Sequence, residues 1–199
     1  MSDVAIIDSG GANIASLMIA FERLQAKAIL TTDAEVIKNA RRVLLPGVGA
    51  AKDAMARLID SKLVDVIRDL KQPVLGICLG MQLLCDASEE EDVECLGVIP
   101  GTVTKLPPNP DHPVPNMGWC ATRFTAHHKT IQGIENASYF YYLHSYALPV
   151  SSHTLATARH AEEFSAIVAH DNFVAAQFHP ERSSAAGAQL LQNFLGTQS

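Results

Sequence analysis

Cys78 is the residue whose sequence context most clearly indicates chemistry. It lies in Gly76-Ile77-Cys78-Leu79-Gly80, directly after an apolar run that begins at Val74. A strand that turns sharply into a helix through Gly-x-nucleophile-x-Gly is a nucleophile elbow, here with sulfur in place of oxygen. The glycines permit the tight turn, and the N-terminus of the following helix favours thiolate over thiol. The alternative is that Cys78 is a small buried apolar residue, as most free cysteines are.

His179 and Glu181 are the partners that such a nucleophile requires. A cysteine nucleophile needs a base and a group that orients the base. Pro180 ends the predicted strand Asn172–Gln177, so His179 lies at a strand terminus, the sheet edge where parallel sheets place active sites. Singly, His179 is also explained as a turn histidine and Glu181 as a charge at the start of a helix. Together with the elbow they predict a Cys–His–Glu triad, in a chain order unlike that of α/β-hydrolases.

A second glycine-rich turn, Pro46-Gly47-Val48-Gly49, follows another apolar strand. Next to the elbow, its main-chain amides can stabilise the oxyanion of an acyl transfer, although a plain βα turn is the alternative. Ser9-Gly10-Gly11-Ala12-Asn13 has neither the GxGxxG nor the Walker spacing of a nucleotide site. His127-His128 and His153 have no carboxylate or cysteine at ligand spacing. We therefore expect neither a metal nor a cofactor.

The elements that must position these residues alternate between strand and helix in the first half of the chain. Short apolar runs separated by helical segments are typical of βαβ crossovers, and so of a mainly parallel sheet covered on both faces. The predicted strands are Val4–Asp8, Ala28–Thr31, Arg42–Leu45 and Val74–Ile77, and the predicted helices are Asn13–Leu24 and about Ala50–Leu70.

The second half has a different pattern. The acidic run Ser88–Glu94 and the segment Leu106–Pro115, with five prolines in ten residues, are predicted as loops. Short strand-like segments connected by turns are expected to extend the sheet in antiparallel fashion. They are Val98–Lys105, Cys120–Phe124, Ser138–Leu143, Thr154–Ala158, Ser165–Ala169 and Asn172–Gln177. A final amphipathic helix over Ser183–Leu195 should close the core. The expected fold is α/β, in a single domain over residues 1–199.

Composition excludes several classes of protein. With 199 residues, 48% hydrophobic and 18% charged, the chain is expected to be globular rather than disordered. A net charge of −6 indicates no basic surface for nucleic acid or anionic membrane. Apolar stretches such as Val74–Cys85 are too short to span a bilayer, and the first residues lack the basic region of a signal peptide. We therefore expect a cytoplasmic protein with reduced thiols at Cys78, Cys85, Cys95 and Cys120.

Several segments together resemble the class I, or triad, glutamine amidotransferases. They are Pro46-Gly47-Val48-Gly49, the segment from Gly76 to Leu84, His144-Ser145-Tyr146 and Gln177-Phe178-His179-Pro180-Glu181. Within that class, Gly97-Val98-Ile99-Pro100-Gly101, Asn116-Met117-Gly118-Trp119 and the segment from Phe178 to Ser184 are similar to the HisH family of glutaminase subunits of imidazole glycerol phosphate synthase. That family more often reads His-Met-Gly-Trp-Asn, whereas here Asn116 and Cys120 flank Met-Gly-Trp.

The resemblance implies a flavodoxin-like fold and hydrolysis of L-glutamine to glutamate and ammonia. Cys78 would attack the carboxamide to give a thioester, His179 would pass the proton to departing ammonia, and Glu181 would orient His179. The main-chain amides around Val48 and Leu79 would form the oxyanion hole. The residues implied to hold the amino and carboxylate groups of the substrate are Gly49, Gln82, Ser145 and Tyr146.

The resemblance also implies a protein partner. In the family, ammonia passes through a tunnel into HisF, a (β/α)8 cyclase that forms imidazole glycerol phosphate and AICAR, within a heterodimer. The positions that match the partner face are Asn13, Trp119, Tyr141 and Arg182. Because a glutaminase working alone wastes glutamine, we also expect the partner to activate the chain. Two alternatives remain: a glutaminase for anthranilate, pyridoxal phosphate or GMP synthesis, and a non-catalytic binding or stress protein of related fold.

Overall fold

The computed structural model describes residues 3–10 and 14–196. The strands in chain order are β1 (Val4–Ile7), β2 (Ala28–Thr31), β3 (Arg42–Gly47), β4 (Val74–Cys78), β5 (Cys85–Ser88), β6 (Val93–Glu94), β7 (Ile99–Lys105), β8 (Asn116–Ala121), β9 (Arg123–Phe124), β10 (Tyr139–His144), β11 (Tyr146–Ala147), β12 (Thr154–His160), β13 (Glu162–His170) and β14 (Phe173–Ala176). The helices are α1 (Ile14–Arg23), α2 (Ala34–Asn39), α3 (Ala51–Asp60), α4 (Val64–Arg68), α5 (Leu79–Leu84) and α6 (Ser184–Gly196), with 3₁₀ turns at Lys129–Ile131 and Pro180–Arg182.

The main sheet has the order β2-β1-β3-β4-β14-β13-β12-β9. From β2 to β14 neighbouring strands pair in parallel, and from β14 to β9 they pair antiparallel. The expected α/β class, with a mainly parallel sheet and an antiparallel extension, is therefore confirmed. Among the helices in the described ranges, none is long and apolar enough to cross a membrane.

Helices cover both faces of the inner parallel strands, whereas the edge strand β2 is partly exposed. In β1, Ala5 and Ile7 pack with residues of α2, α3, α4 and α5 in one buried cluster. Val4 and Ile6 pack with residues of α1 and α6 in the other. Because side chains alternate between the two faces of a strand, a strand covered on both faces must be apolar throughout. This is why the parallel strands were recognisable as uninterrupted apolar runs.

The antiparallel extension is smaller than expected. Val98–Lys105 and Ser138–Leu143 lie outside the main sheet, in two small sheets with the orders β11-β7-β5-β6 and β10-β8. The predicted strand Cys120–Phe124 is divided between β8 and β9, so only its end joins the main sheet. These strands bury alternate residues, since they have one solvent-exposed face. Alternation indicates a half-covered strand but does not say which sheet it joins.

The acidic run was wrongly expected to be a loop throughout. Ser88 ends β5, Val93 and Glu94 form β6, and only the four residues between them make the turn of a hairpin. The hairpin joins β7 through parallel pairing of β5, and this contact is non-local. Leu106–Pro115 contains no named strand or helix, as predicted.

The predicted helix Ala50–Leu70 is two helices, α3 and α4. Lys62 between them has a φ of +56°, a left-handed conformation that ends a helix. Its N–H donates to the carbonyl of Ile59, and the N–H of Leu63 donates to that of Leu58, each at 2.9 Å. This is a Schellman motif, which usually has glycine where Lys62 lies. Because the glycine is absent, the sequence contained no clear stop signal.

Helix α2 was not among the predicted elements. The Asp33 side chain caps it by accepting hydrogen bonds from the backbone N–H groups of Glu35 and Val36. Its Ile37 side chain is fully buried against the sheet. An acidic residue followed by a short apolar pattern is the usual sign of such a helix, but six residues are too few for a clear period.

Gly80 permits the close packing of α5 on β3. A Cβ placed at Gly80 would collide with the carbonyl oxygen of Leu45. In the register of the two strands, Gly47 of β3 lies opposite Cys78 of β4. The absence of a side chain at Gly80 thus allows the first turn of α5 to lie beside the glycine-rich loop that follows β3.

We predict that Gly80→Ala destabilises the protein by about 3 kcal/mol, because its methyl group meets main chain that cannot move aside without shifting β3. Urea unfolding monitored by circular dichroism measures this change. Gly196→Ala is the matched control, since a Cβ at Gly196 meets no described atom within 4 Å. Equal unfolding midpoints for the two variants would contradict the packing role of Gly80.

Candidate active site

Three neighbouring parallel strands bring the candidate catalytic residues to one edge of the sheet. Strand β4 ends at Cys78, β3 ends opposite it at Gly47, and β14 runs on the other side with Ala176 opposite Ile77. The chain continues from β14 through Gln177 and Phe178 to His179. Carboxyl ends of adjacent parallel strands form the usual binding crevice of open α/β sheets.

Cys78 occupies a strained backbone conformation at the junction of β4 and α5. Its φ is +54° and its ψ is −112°, which a non-glycine residue adopts only at a cost of about 1–3 kcal/mol. Its Sγ lies 3.6 Å from the carbonyl oxygen of Leu143. The surrounding packing holds the residue in this conformation, and its sulfur lines a cavity.

His179 and Glu181 form a buried pair beside Cys78. The Nδ1 atom of His179 lies 2.9 Å from Oε1 of Glu181, and the two side chains are 9% and 2% exposed. Because the carboxylate accepts at Nδ1, Nε2 remains for proton transfer to and from the sulfur. Within the described part of the chain, Oε2 of Glu181 has no hydrogen-bond partner. Among the described residues, the His179 imidazole is therefore the main hydrogen-bond partner of the Glu181 carboxylate.

The protonation of His179 reflects two opposing effects. Burial lowers the pKa of the imidazole, but its hydrogen bonds to Cys78 and Glu181 and their negative charges raise it to about 10. An imidazolium between a sulfur and a carboxylate is the ground state that this arrangement favours. Such a histidine has a proton available for a leaving group.

The other three cysteines lie in different environments. Burial raises the pKa of Cys95 to about 11, and it raises the pKa values of Cys85 and Cys120 as well. Raised values hold these three as thiols at neutral pH. Of the four cysteines, Cys78 is the one that lines the cavity next to His179.

The cavity at Cys78 has a volume of about 370 Å³, which suits a small-molecule ligand. It brings together most of the residues that the sequence indicated for catalysis and substrate binding. They are Val48, Gly49, Cys78, Leu79, Gln82, Ser145, Tyr146 and His179. Glu181 lies behind His179, away from the open space.

A hydrogen-bond network fixes Gln82 at the cavity wall. Its Nε2 donates to the carbonyl of Tyr146 at 2.9 Å and to Oε1 of Gln177 at 3.1 Å. The Tyr146 carbonyl also lies 2.9 Å from Nδ1 of His144, whose Nε2 faces Nδ2 of Asn116 at 3.0 Å. Because a carbonyl only accepts, His144 carries its proton on Nδ1. Burial lowers the pKa of His144 to about 4, so the ring is neutral at pH 7.

Several residues of the site were missed in the sequence. Glu90 lines the cavity, and its Oε2 accepts from the N–H of Ala51 at 3.0 Å, at the start of α3. It was assigned to an acidic surface run, and nothing local distinguishes it from its neighbours. His144 and Gln177 lie inside the recognised motifs, but their roles in the network depend on contacts with distant residues.

The predicted partner face lies on the β8–β10 ribbon. Trp119 and Tyr141 are opposite each other in the register, with ring centroids 6.2 Å apart, and the Arg182 guanidinium lies 5.9 Å from the Tyr141 ring. Met117 and Tyr139 on the same face are 67% and 61% exposed. Thus three of the four predicted partner residues lie together, and Asn13 lies outside the described residues.

The histidines considered as metal ligands do not assemble. Among the described residues, no group of three or more His, Cys, Asp or Glu side chains is placed to hold a metal ion. His127 and His128 line a surface cavity with Lys129, and the ring of His153 packs on that of His170.

A cysteine elbow and a buried His–Glu pair at the carboxyl edge of a parallel sheet define a class of cysteine-dependent amide-cleaving proteins. The glutamine amidotransferase class-I family model matches residues 5–197. Imidazole glycerol phosphate synthase subunit HisH 2 of Legionella pneumophila (strain Lens) is 47% identical over 196 residues, which cover 98% of both chains. Subunit HisH of Shewanella oneidensis (strain MR-1) is 46% identical over 213 residues, covering 98% of this chain and 96% of that one. The chain therefore belongs to the class-I glutamine amidotransferases and, within them, to the HisH family.

Solved structures agree on the fold. A putative GMP synthase protein from Thermoplasma acidophilum matches with a TM-score of 0.75 and 18% identity over 98% of this chain and 93% of that chain. PurLQS from Thermotoga maritima matches with a TM-score of 0.68 and 16% identity over 98% of this chain and 99% of that chain. At these identities the likeness shows the fold alone, and the resemblance found in the sequence is confirmed by the relatives.

We predict that Glu181→Gln lowers the pKa of His179 from about 10 towards its ordinary value of about 6.5, because the negative charge at Nδ1 is lost. Titration of ¹⁵N-labelled imidazole by NMR measures this shift. Glu163→Gln is the matched control, since it removes a carboxylate that is bonded to Thr157 instead. An unchanged His179 titration in Glu181→Gln would exclude Glu181 as the charge that holds the imidazolium.

Proposed function

We propose that the chain hydrolyses L-glutamine to glutamate and ammonia as the glutaminase subunit of an imidazole glycerol phosphate synthase in histidine biosynthesis. The observation that supports this most directly is the contact of Cys78 and the His179–Glu181 pair at one cavity, in a chain 47% identical to HisH subunits. We propose further that residues 1–199 act as one amidotransferase domain in the cytoplasm.

The catalytic steps follow from the positions of the three side chains. The Cys78 sulfur attacks the substrate carboxamide, and the resulting oxyanion accepts from the main-chain amides of Val48 and Leu79. His179 gives its Nε2 proton to the departing ammonia, which leaves a thioester. Neutral His179 then takes a proton from water, which attacks the thioester and releases glutamate and the thiolate. Glu181 holds the ring and stabilises its charged form.

Substrate recognition depends on which hydrogen-bonding atoms remain available. Gln82 uses its amide nitrogen on Tyr146 and Gln177, so its Oε1 is the atom left to accept from the substrate's ammonium group. Gly49, Ser145 and Tyr146 also line the cavity and are proposed to hold the carboxylate.

We propose that the exposed face of the β8–β10 ribbon docks against the cyclase HisF in a heterodimer. Large aromatic side chains and arginine are the residues that dominate such interfaces. Strand β10 also contacts the catalytic residues, since the Tyr141 carbonyl accepts from the N–H of His179 at 2.9 Å and the Leu143 carbonyl lies 3.6 Å from the Cys78 sulfur. A partner bound to this strand would therefore contact the same strand that contacts His179 and Cys78. We propose that ammonia enters the tunnel at this point.

The alternative functions are less well supported. A glutaminase for anthranilate, pyridoxal phosphate or GMP synthesis would share the triad, but the relatives at 46–47% identity are HisH subunits. A non-catalytic binding protein of related fold would not require a His179–Glu181 pair next to Cys78. A glutamine-derived electrophile followed by peptide mass mapping distinguishes any glutaminase from the non-catalytic protein, since only a glutaminase directs the label to Cys78.

We predict that Cys78→Ala abolishes glutamine-dependent synthesis by the complex with its cyclase, while synthesis from added ammonium continues, because only ammonia delivery is lost. Product formation measured with each nitrogen source tests this. Cys95→Ala, which alters a buried thiol outside the cavity, is the matched control and should retain both activities. Glutamine-dependent synthesis at the wild-type rate in Cys78→Ala would overturn the proposed nucleophile.

Activation by the partner is proposed to act on Pro46-Gly47-Val48-Gly49, in which Gly47 ends β3 and is followed by the loop from Val48 to Ala50. The loop is held on one side by the pairing of β3 with β4 and on the other by the bond from Ala51 to Glu90. Between these anchors, Gly49 has a φ of +92°, and an added Cβ would meet nothing within 4 Å. The peptide units around Val48 can therefore rotate and turn an amide towards or away from the oxyanion.

We predict that Gly49→Val reduces activation of glutamine hydrolysis by the nucleotide-loaded cyclase about 100-fold, because the loss of one oxyanion donor has about this effect. Glutamine binding, measured by calorimetry, should weaken much less. Gly133→Val is the matched control, since Gly133 also has a positive φ and open space but lies away from the cavity. If the isolated chain already hydrolyses glutamine as fast as the saturated complex, the switch does not exist.

A further inference from the structure

Gln177 is a fully buried amide beside the proposed nucleophile. It directly follows β14, and its N–H donates to the carbonyl of Ala166 on β13 at 2.9 Å, so its backbone is fixed by the sheet. Its Nε2 lies 3.9 Å from Sγ of Cys78. A buried polar side chain aimed at a reacting atom requires an explanation, because burial of an amide is costly unless its hydrogen bonds are made.

The hydrogen-bond network determines which end of the Gln177 amide faces the sulfur. Gln82 must point its nitrogen at the Tyr146 carbonyl, which can only accept. That nitrogen also lies 3.1 Å from Gln177, so the atom of Gln177 facing it is the acceptor, Oε1. The remaining end of the amide is Nε2, a donor, and it points at Cys78.

The Cys78 sulfur thus lies between two groups with opposite preferences. The Leu143 carbonyl at 3.6 Å accepts a hydrogen bond from a thiol and repels a thiolate. The Gln177 amide donates, and it stabilises a thiolate more than a thiol because hydrogen bonds to charged acceptors are stronger. The amide therefore adds to the His179 imidazolium, which is also hydrogen-bonded to the sulfur, and it opposes the neighbouring carbonyl, which favours the unreactive thiol.

We propose that Gln177 is a positioning residue that stabilises the Cys78 thiolate and holds its sulfur at the cavity. The proposal rests on the proposed function of Cys78 as nucleophile. Gln177 itself is separate from substrate recognition, since its amide is used within the network, and it is absent from the residues that line the cavity. Because Gln82 holds its other end, the donor remains aligned through the reaction.

The other charged and titratable groups around the sulfur are unchanged in variants of Gln177. His179, in the turn after β14, and His144 and Tyr146, in β10 and β11, line the cavity with Cys78, while Glu181 lies behind His179. Glu90 of the hairpin and Arg182 also line this cavity. Gln177→Met therefore removes the donor to the sulfur and the acceptor for Gln82 without adding a charge, whereas Gln177→Glu places a carboxylate there.

The test is the pH dependence of Cys78 alkylation by iodoacetamide in Gln177→Met, which keeps the size of the side chain but lacks the donor. The full-length chain is treated between pH 5 and 10, and peptide mass mapping gives the rate at Cys78. At pH 7 we expect alkylation to be about tenfold slower than in the wild type, with the profile moved to higher pH. Gln177→Glu, of the same shape with a carboxylate at the sulfur, should be slower still.

Gln72→Met is the matched control, because Gln72 donates from its amide to the carbonyls of Ile37 and Lys38, away from the cavity. Gln72→Met makes the same chemical change and removes these two hydrogen bonds, so it should lower the melting temperature without moving the alkylation profile. Coincident profiles for the wild type, Gln177→Met and Gln177→Glu would overturn the proposal, as would an equal shift in Gln72→Met. Failure of the proposed function of Cys78 would be recognised separately, because glutamine turnover would then survive in Cys78→Ala.

Discussion

The close approach of helix α5 to strand β3 is the constraint on which the site depends. It exists because Gly80 has no side chain to meet the Leu45 carbonyl, and because Cys78 accepts a strained positive φ. Together these features place the sulfur beside the loop that follows Gly47. The folding energy of a sheet buried on both faces compensates for this local strain, since the parallel strands around the elbow are buried and, apart from Arg42 at the start of β3, contain no charged or polar side chain.

The polar groups under the cavity form a satisfied network rather than isolated side chains. Gln177, Gln82 and the Tyr146 carbonyl connect Cys78 to His144 and Asn116 on the ribbon. Inside a protein, amides connected in this way have fixed orientations, because rotation of one would leave its neighbour unpaired. The network therefore defines which atoms remain for substrate and which face the sulfur.

Strand β10 connects the proposed partner face with the catalytic groups. Its side chains alternate between solvent and core, so Tyr139 and Leu143 point outward while Phe140 and Tyr142 are buried. The carbonyl of Tyr141 accepts from the backbone N–H of His179, and the carbonyl of Leu143 approaches the Cys78 sulfur. A single strand with both contacts would connect a partner bound at the proposed face with Cys78 and His179, whereas the loop at Val48 is a separate, glycine-flanked element.

The sequence alone determined the α/β class, the parallel strands, and the residues Cys78, His179 and Glu181 as candidates, because each has a local signature: an apolar run, an elbow between glycines, and a strand ended by proline. Only the tertiary structure decided the rest. The hairpin that brings Glu90 to the cavity, the separate ribbon and the donor at Gln177 depend on contacts between distant residues. Alternation of apolar and polar residues along a strand indicates which face is buried but not which strand it pairs with. The role of a buried amide cannot be recognised in the sequence, because it depends on hydrogen-bond partners that only the fold brings together.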